Sequence, residues 1–149
     1  MTRLLLDVML GRLATYLRMC GYDTAYALDD GIESDGRIVE WTRREERTLV
    51  TRDRQLAAES EDAVLLESRD LLDQLQELSE AGFTLELPDK PSRCSICNTE
   101  LTRVPPEVPT PAYAPEPDRE DVWRCPSCGQ HFWKGSHWDN VADRLDRVD

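Results

Sequence analysis

Short apolar runs alternate with amphipathic stretches over the first 87 residues. Arg3 to Leu6 reads as a strand that ends on Asp7. Leu10, Leu13, Ala14 and Leu17 then recur at helical spacing, which predicts a helix over 8–20 with Gly21 as its cap. Thr24 to Leu28 is a second strand, followed by Asp29 and Asp30. Ile38, Val39, Trp41 and Thr42 predict a helix over 36–46, and Thr48 to Val50 a third strand. A short helix starts near Arg54, Ala63 to Leu66 is a fourth strand, and Leu71, Leu72, Leu75 and Leu78 mark another helix that ends near Gly82. Phe83 to Leu87 is expected as a fifth strand.

This alternation predicts an α/β fold, a mostly parallel sheet flanked by helices. Right-handed crossovers put successive strand ends on one edge, where ligands bind in such sheets. Asp7, Asp30, Asp53 and Asp70 all fall at or just past predicted strand ends.

Residues 88–149 differ in kind. Cys94-Ser-Ile-Cys97 and Cys125-Pro-Ser-Cys128 are separated by 27 residues that include VPPEVPTPAYAPEP. Six of the nine prolines lie in that run, so an extended loop without regular structure is expected there. Trp138, Val141, Ala142, Leu145 and Val148 then predict a terminal helix, with Ser136 as its N-cap and Asp139 three residues on. The expected division is 1–87 for the α/β domain and 88–149 for a small cysteine module carrying the terminal helix.

Paired CxxC knuckles at this spacing suit a structural zinc ion held by Cys94, Cys97, Cys125 and Cys128. Four thiolates leave no open coordination position, and so short a module would draw folding energy from the metal. The stretch FWKGSHW, residues 132–138, mixes aromatic and basic side chains. Trp133, Lys134 and His137 are therefore candidates for stacking on and contacting single-stranded nucleic acid. The competing use of those aromatics is as the ribbon's own small core.

Each aspartate has a local explanation, because Asp7, Asp35 and Asp53 all sit where a helix is about to begin and aspartate caps helices well. Together, three carboxylates on one sheet edge would repel one another without a cation. Such a cluster around Mg2+ or Mn2+ is the apparatus of metal-assisted phosphodiester hydrolysis.

Composition adjusts this picture. Acidic residues number 30 against 18 basic, a net charge of −12, and only Lys90 and Lys134 are lysines. An acidic, lysine-poor surface suggests a halophilic source, where salt screens the repulsion between the protein and a nucleic acid. No apolar run is long enough for a membrane span and no leader is evident, so a cytoplasmic protein is expected.

Asp7 in LLLDVMLGRLATYLRMCGYDT, Asp35 in SDGRIVEWTRREERTLVTRDRQLA and the cysteines with FWKGSHW resemble the PIN-like ribonucleases that carry a C-terminal zinc ribbon. These are the relatives of the C-terminal domain of the mut-seven exonuclease. The resemblance runs from Arg3 to about Arg144. It implies a metal-dependent ribonuclease with Asp7, Asp35 and Asp53 on the acidic positions and RNA as substrate. Many PIN nucleases use a fourth acid. Asp30 is favoured because it follows a strand end, while Glu40, five residues past Asp35, lies about 500° around a helix and does not share its face. Arg12, Arg18, Arg52 and Arg54 flank the expected site, with Arg12 and Arg52 foremost as substrate contacts. An inactive PIN-like adaptor for RNA, tRNA or the ribosome is the alternative. A phosphoacceptor receiver domain would need a lysine near the last strand and has no use for a zinc ribbon.

Overall fold

The computed structural model describes residues 2–32 and 34–148. Four strands, β1 (Arg3–Leu6), β2 (Asp23–Tyr26), β3 (Thr48–Thr51) and β4 (Ala63–Leu65), form a wholly parallel sheet in the order β2-β1-β3-β4. Between them run α1 (Gly11–Met19), α2 (Asp35–Glu45) and α3 (Arg54–Glu59), and α4 (Leu71–Glu80) follows β4. The chain steps outward from β1 to β2, then returns across β1 to β3 and continues outward to β4. That reversal opens a crevice between the carboxyl ends of β1 and β3, the switch point at which doubly wound sheets bind ligands.

Both faces of the sheet are covered. Leu4, Leu6 and Val50 point into one core with Leu13 and Leu17 of α1 and Leu75 and Leu78 of α4. Leu5 and Leu49, one residue out of phase, point into the other with Ile38 and Trp41 of α2 and Leu56 of α3. Strands buried on both sides explain the unbroken LLL and LV runs, since no position along them faces water.

The helix ends are built as glycine placement predicts. Tyr22 N–H bonds the Leu17 carbonyl and Gly21 N–H that of Arg18, with Gly21 at φ +96°. This is a Schellman cap, and Gly82 at φ +102° closes α4 the same way.

Three expectations are corrected. Helix α1 begins at Gly11, not at residue 8, because Asp7–Leu10 forms a loop with Met9 at φ +76°. Phe83 to Leu87 is not a strand. Its alternation is real, with Phe83, Leu85 and Leu87 packed against the first core, but it lies beside Tyr22 instead of pairing with a strand. The Tyr22 hydroxyl donates to the Thr84 carbonyl at 3.0 Å and supplies one of the polar contacts a ladder would have made. Ser136 does not cap the terminal helix α5 (Ser136–Leu145); Gly135 holds that position and no side chain caps it. A Cβ at Gly135 would meet the Trp133 indole nitrogen at 2.5 Å, so the ring selects glycine there.

The cysteine module forms a three-stranded antiparallel ribbon of β5 (Thr102–Arg103), β6 (Trp123–Arg124) and β7 (His131–Phe132). Arg103 pairs with Asp121 where the proline-rich excursion leaves and rejoins it. The excursion folds back, and Tyr113 lies beside His131 and Trp133. Helix α5 then returns to the α/β body, where Val141 and Leu145 enter the core of α1 and α4.

Two side chains join the ribbon to the sheet. Arg18, only 5% exposed, donates to the carbonyl of Thr24 at 2.9 Å and to those of Ser95 and Ile96 at 3.1 and 3.0 Å. It is thus a buried joint, not the phosphate contact that its position near the site suggested. Asn98 accepts from the N–H of Thr24 at 2.9 Å and donates to Asp23 at 2.7 Å. It thereby caps the open edge of β2, which would otherwise present unpaired backbone groups. Burial alone would raise the Asp23 carboxyl, but Asn98 and Arg47 outweigh it and hold the group below its ordinary range. Replacing Arg18 by Ala should lower stability by about 3 kcal/mol, read from urea midpoints, because the buried Thr24 carbonyl and the part-buried carbonyls of Ser95 and Ile96 lose a charged donor.

Candidate functional site

Strand β3 ends on a relay of short bonds. The Thr51 hydroxyl donates to Asp7 Oδ2 at 2.7 Å, and its oxygen accepts the N–H of Asp53 at 3.0 Å. Asp7 Oδ1 accepts from the N–H of Val8 at 2.8 Å. One buried threonine therefore orients the aspartates that follow β1 and β3, the two central strands. Asp7 does not cap α1. Asp53 does cap α3, accepting from Gln55 and Leu56 N–H at 3.0 and 3.2 Å through a single oxygen, Oδ1. Between Asp7 and α1, Met9 is a non-glycine residue in the left-handed region, and its side chain is 86% exposed. Strain of this kind concentrates in loops that carry function.

Asp35 comes to the same crevice from α2, which covers the same face of the sheet as α3. Ser34 takes the N-cap of α2, which leaves Asp35 as the first helical residue, exposed. Lost hydration and then the like charges of Asp53, Glu59 and Asp7 raise its carboxyl above the ordinary range. Asp7, Asp35 and Asp53 therefore share one electrostatic neighbourhood although they come from three elements. Glu59, at the end of α3, joins them. Nothing in its spacing marks it, because only the fold turns α3 toward α2. Asp30 lies in an exposed 3-10 turn after the edge strand β2 and is not among the charges that raise Asp35. Glu40 is exposed on α2. Arg52 is exposed beside Asp53, and Arg54 pairs with Glu67 at 3.3 Å.

The carboxylate oxygens of Asp7, Asp35 and Asp53 do not all lie within 4.8 Å of one another; among the described residues only the four cysteines do so. Mg2+ in proteins commonly keeps several waters and takes only one or two carboxylates directly, so direct ligation by all three aspartates is not a requirement for such an ion.

The cysteines form the closed site. Cys94 and Cys128 sulfurs are 3.7 Å apart, and those of Cys97 and Cys125 3.3 Å. A tetrahedral zinc–sulfur site with bonds of about 2.3 Å has edges of about 3.8 Å, so the set is close to ready for one zinc ion. The two knuckles are built alike. Asn98 at φ +71° and Gly129 at φ +81° each return an N–H to the first cysteine's carbonyl at 2.9 Å. Burial alone raises the Cys125 thiol, but the N–H of Cys128 and the Cys97 thiol outweigh it and leave Cys125 down at about 6, ready to bind as thiolate. Cys20 is outside this group, and burial pushes it up to about 12, so it is an inert thiol.

A family model, the Mut7-C RNase domain, matches residues 2–145, nearly the whole chain. The chain belongs to the Mut7-C RNase family. Its match spans the doubly wound sheet, the cysteine ribbon and the whole of the terminal helix that ties them together. No curated protein and no solved structure matches the chain. In this member the FWKGSHW segment lines an aromatic cavity of about 310 Å3, with Phe132, Trp133, His137 and Trp138 in its wall and Met19 of α1 opposite. Lys134 lies over the Trp138 ring at 5.8 Å. The segment therefore serves the ribbon's own packing and also faces open space. No helix is long and apolar enough to cross a membrane among the described residues.

Two outcomes follow. Cys125→Ser should drop zinc content from one ion per chain to a small fraction, measured by metal analysis, and lower Tm, because Asn98 and α5 both depend on the ribbon. Asp35→Asn should raise Tm at neutral pH in the absence of added divalent ions. The sign follows from the raised carboxyl: its charge costs stability once pH exceeds the unfolded value, and nothing below it. The gain should therefore vanish as pH falls below about 4.

Proposed function

We propose that this Mut7-C family member is a divalent-metal-dependent ribonuclease, with Asp7, Asp35 and Asp53 as the ligands of Mg2+ or Mn2+. What supports the reading is the family match over residues 2–145, together with the Thr51 hydroxyl that bonds both the Asp7 carboxylate and the Asp53 N–H at the sheet's carboxyl edge. A fold that gathers like charges at its switch point gives up stability there, which is a common mark of a functional site. The bound ion would activate a water and stabilise charge on the scissile phosphate. The protein's own part is orientation. Thr51 fixes the Asp7 carboxylate, the α3 cap fixes Asp53, and Glu59 takes the place of the fourth acid ahead of Asp30. Arg12 and Arg52 contact the RNA backbone. The ribbon holds the strand through Trp133, Lys134 and His137, with bases stacking along the aromatic wall.

Asp53→Asn is the sharpest test, since asparagine caps helices as well as aspartate does. Metal-dependent cleavage of single-stranded RNA should fall at least about a thousandfold, the scale of losing charge stabilisation at a reacting phosphate. Zinc content should stay at the wild-type value and Tm should not fall. Cleavage that survives the substitution would remove Asp53 from the site. That the oxygens of Asp7, Asp35 and Asp53 do not all lie within 4.8 Å of one another supports a second reading, an inactive adaptor that binds RNA, tRNA or the ribosome. RNA binding by the wild-type protein with no cutting in Mn2+ would select it.

A further inference from the structure

Helices α1 and α5 meet along a cleft of about 240 Å3 that neither the acidic crevice nor the aromatic cavity contains. Arg12, Thr15 and Tyr16 of α1 line one side, and His137, Asn140 and Arg144 of α5 the other. Val141, buried in the core, forms the floor. The α1 residues are spaced i, i+3, i+4 and the α5 residues i, i+3, i+7, so each set is one face of its helix. Asp139 and Asp143 of α5 fall off that stripe, and no carboxylate lines the cleft among the described residues. In a chain of net charge −12 this is an unusual concentration of cationic and hydrogen-bonding groups.

Arg144 is set in place by its neighbour, since one of its nitrogens donates to the Tyr16 hydroxyl at 2.9 Å. Its guanidinium is otherwise exposed, as are Arg12, His137 and Asn140. Two arginine forks with amide, hydroxyl and imidazole donors between them form a set matched to a tetrahedral oxyanion. Position narrows the choice of anion. Arg12 lies in the first turn of α1, five residues past Asp7, so one end of the cleft opens at the carboxyl edge of the sheet. His137 lines both this cleft and the aromatic cavity. A phosphate in the cleft would therefore lie between the acidic crevice and a cavity suited to a base.

We infer that this α1–α5 cleft is a phosphodiester subsite, in which Arg12 and Arg144 hold one backbone phosphate of an RNA strand near the acidic residues. The inference rests on the ribonuclease reading for the identity of the strand. Arg144 and Asn140 carry it, and neither belongs to the FWKGSHW segment or to a strand end.

The test uses the full zinc-loaded chain bearing Asp53→Asn, so that RNA is bound and not consumed. Binding of a fluorescent single-stranded oligoribonucleotide is followed by anisotropy across a salt series. Arg144→Gln and Arg12→Gln should each weaken binding about tenfold and reduce the slope of log affinity against log salt by about 0.7, one phosphate contact on a single strand. Arg144→Lys should restore most of the slope, which a purely structural role through Tyr16 would not do. Arg147→Gln, the same charge loss outside the cleft, should leave the slope unchanged. Unchanged affinity and slope in both glutamine variants would overturn the subsite and leave the nuclease reading intact. Equal competition by inorganic phosphate at matched ionic strength would also overturn it, by assigning the cleft to free phosphate. Slope losses as expected, in a protein whose wild-type form cuts no RNA with Mn2+, would support the subsite and remove the nuclease reading.

Discussion

The open edge of β2 is the constraint around which this chain is arranged. A parallel sheet buried on both faces still has two edges, and β2 presents unpaired backbone groups on one of them. The first cysteine knuckle covers it, with Asn98 bonding the N–H of Thr24 and Arg18 joining the Thr24 carbonyl to those of Ser95 and Ile96. The ribbon is therefore part of how the sheet is finished. Metal at the cysteines would fix the knuckle, and the knuckle closes the edge. The chain leaving the ribbon then lays α5 against α1. Stability of the α/β body and position of the α1–α5 cleft are linked through this path, although the acidic crevice lies on the far side of β1.

The crevice has the opposite character. There the fold accumulates cost: a non-glycine residue in the left-handed region at Met9, and a carboxyl at Asp35 made less acidic by lost hydration and then by its like-charged neighbours. Thr51 is buried and fully used, while Asp35 and Asp53 are exposed. The result is a buried, fully bonded base with exposed carboxylates above it. Arginine appears in both settings with different outcomes. Arg18 and Arg47 are buried among carbonyls and serve as joints, while Arg12 and Arg144 remain at the surface along a cleft.

Much of this was legible in the linear chain. The four parallel strands follow from apolar runs bounded by aspartates and glycines, and the helices from their periodicity. The cysteine spacing alone announced a four-thiol cluster that could hold a metal ion, because two tight knuckles are a local device. The cap role of Asp53 was equally local. Phe83 to Leu87 misled for a definite reason: alternation reports which side chains are buried, and packing beside Tyr22 buries the same ones as a ladder would. Ser136 misled because the Trp133 indole, not the hydroxyl, decides which residue can precede α5.

What the sequence determined by itself was thus most of what is set within a turn or a strand: the helices and the four sheet strands, the glycine-closed helix ends, the four cysteines that could hold zinc and the aspartates at strand ends. Tertiary structure decided which of these meet. Glu59 reaches Asp35 only because α3 and α2 cover the same face of the sheet. Arg18 became a joint and not a substrate contact because the ribbon folds back over β2. Arg144 and Arg12, 132 positions apart, share a cleft because α5 returns to α1. Periodicity fixes the face a helix presents, but not the partner it finds. That choice depends on burial summed over the whole core, and no local stretch carries it.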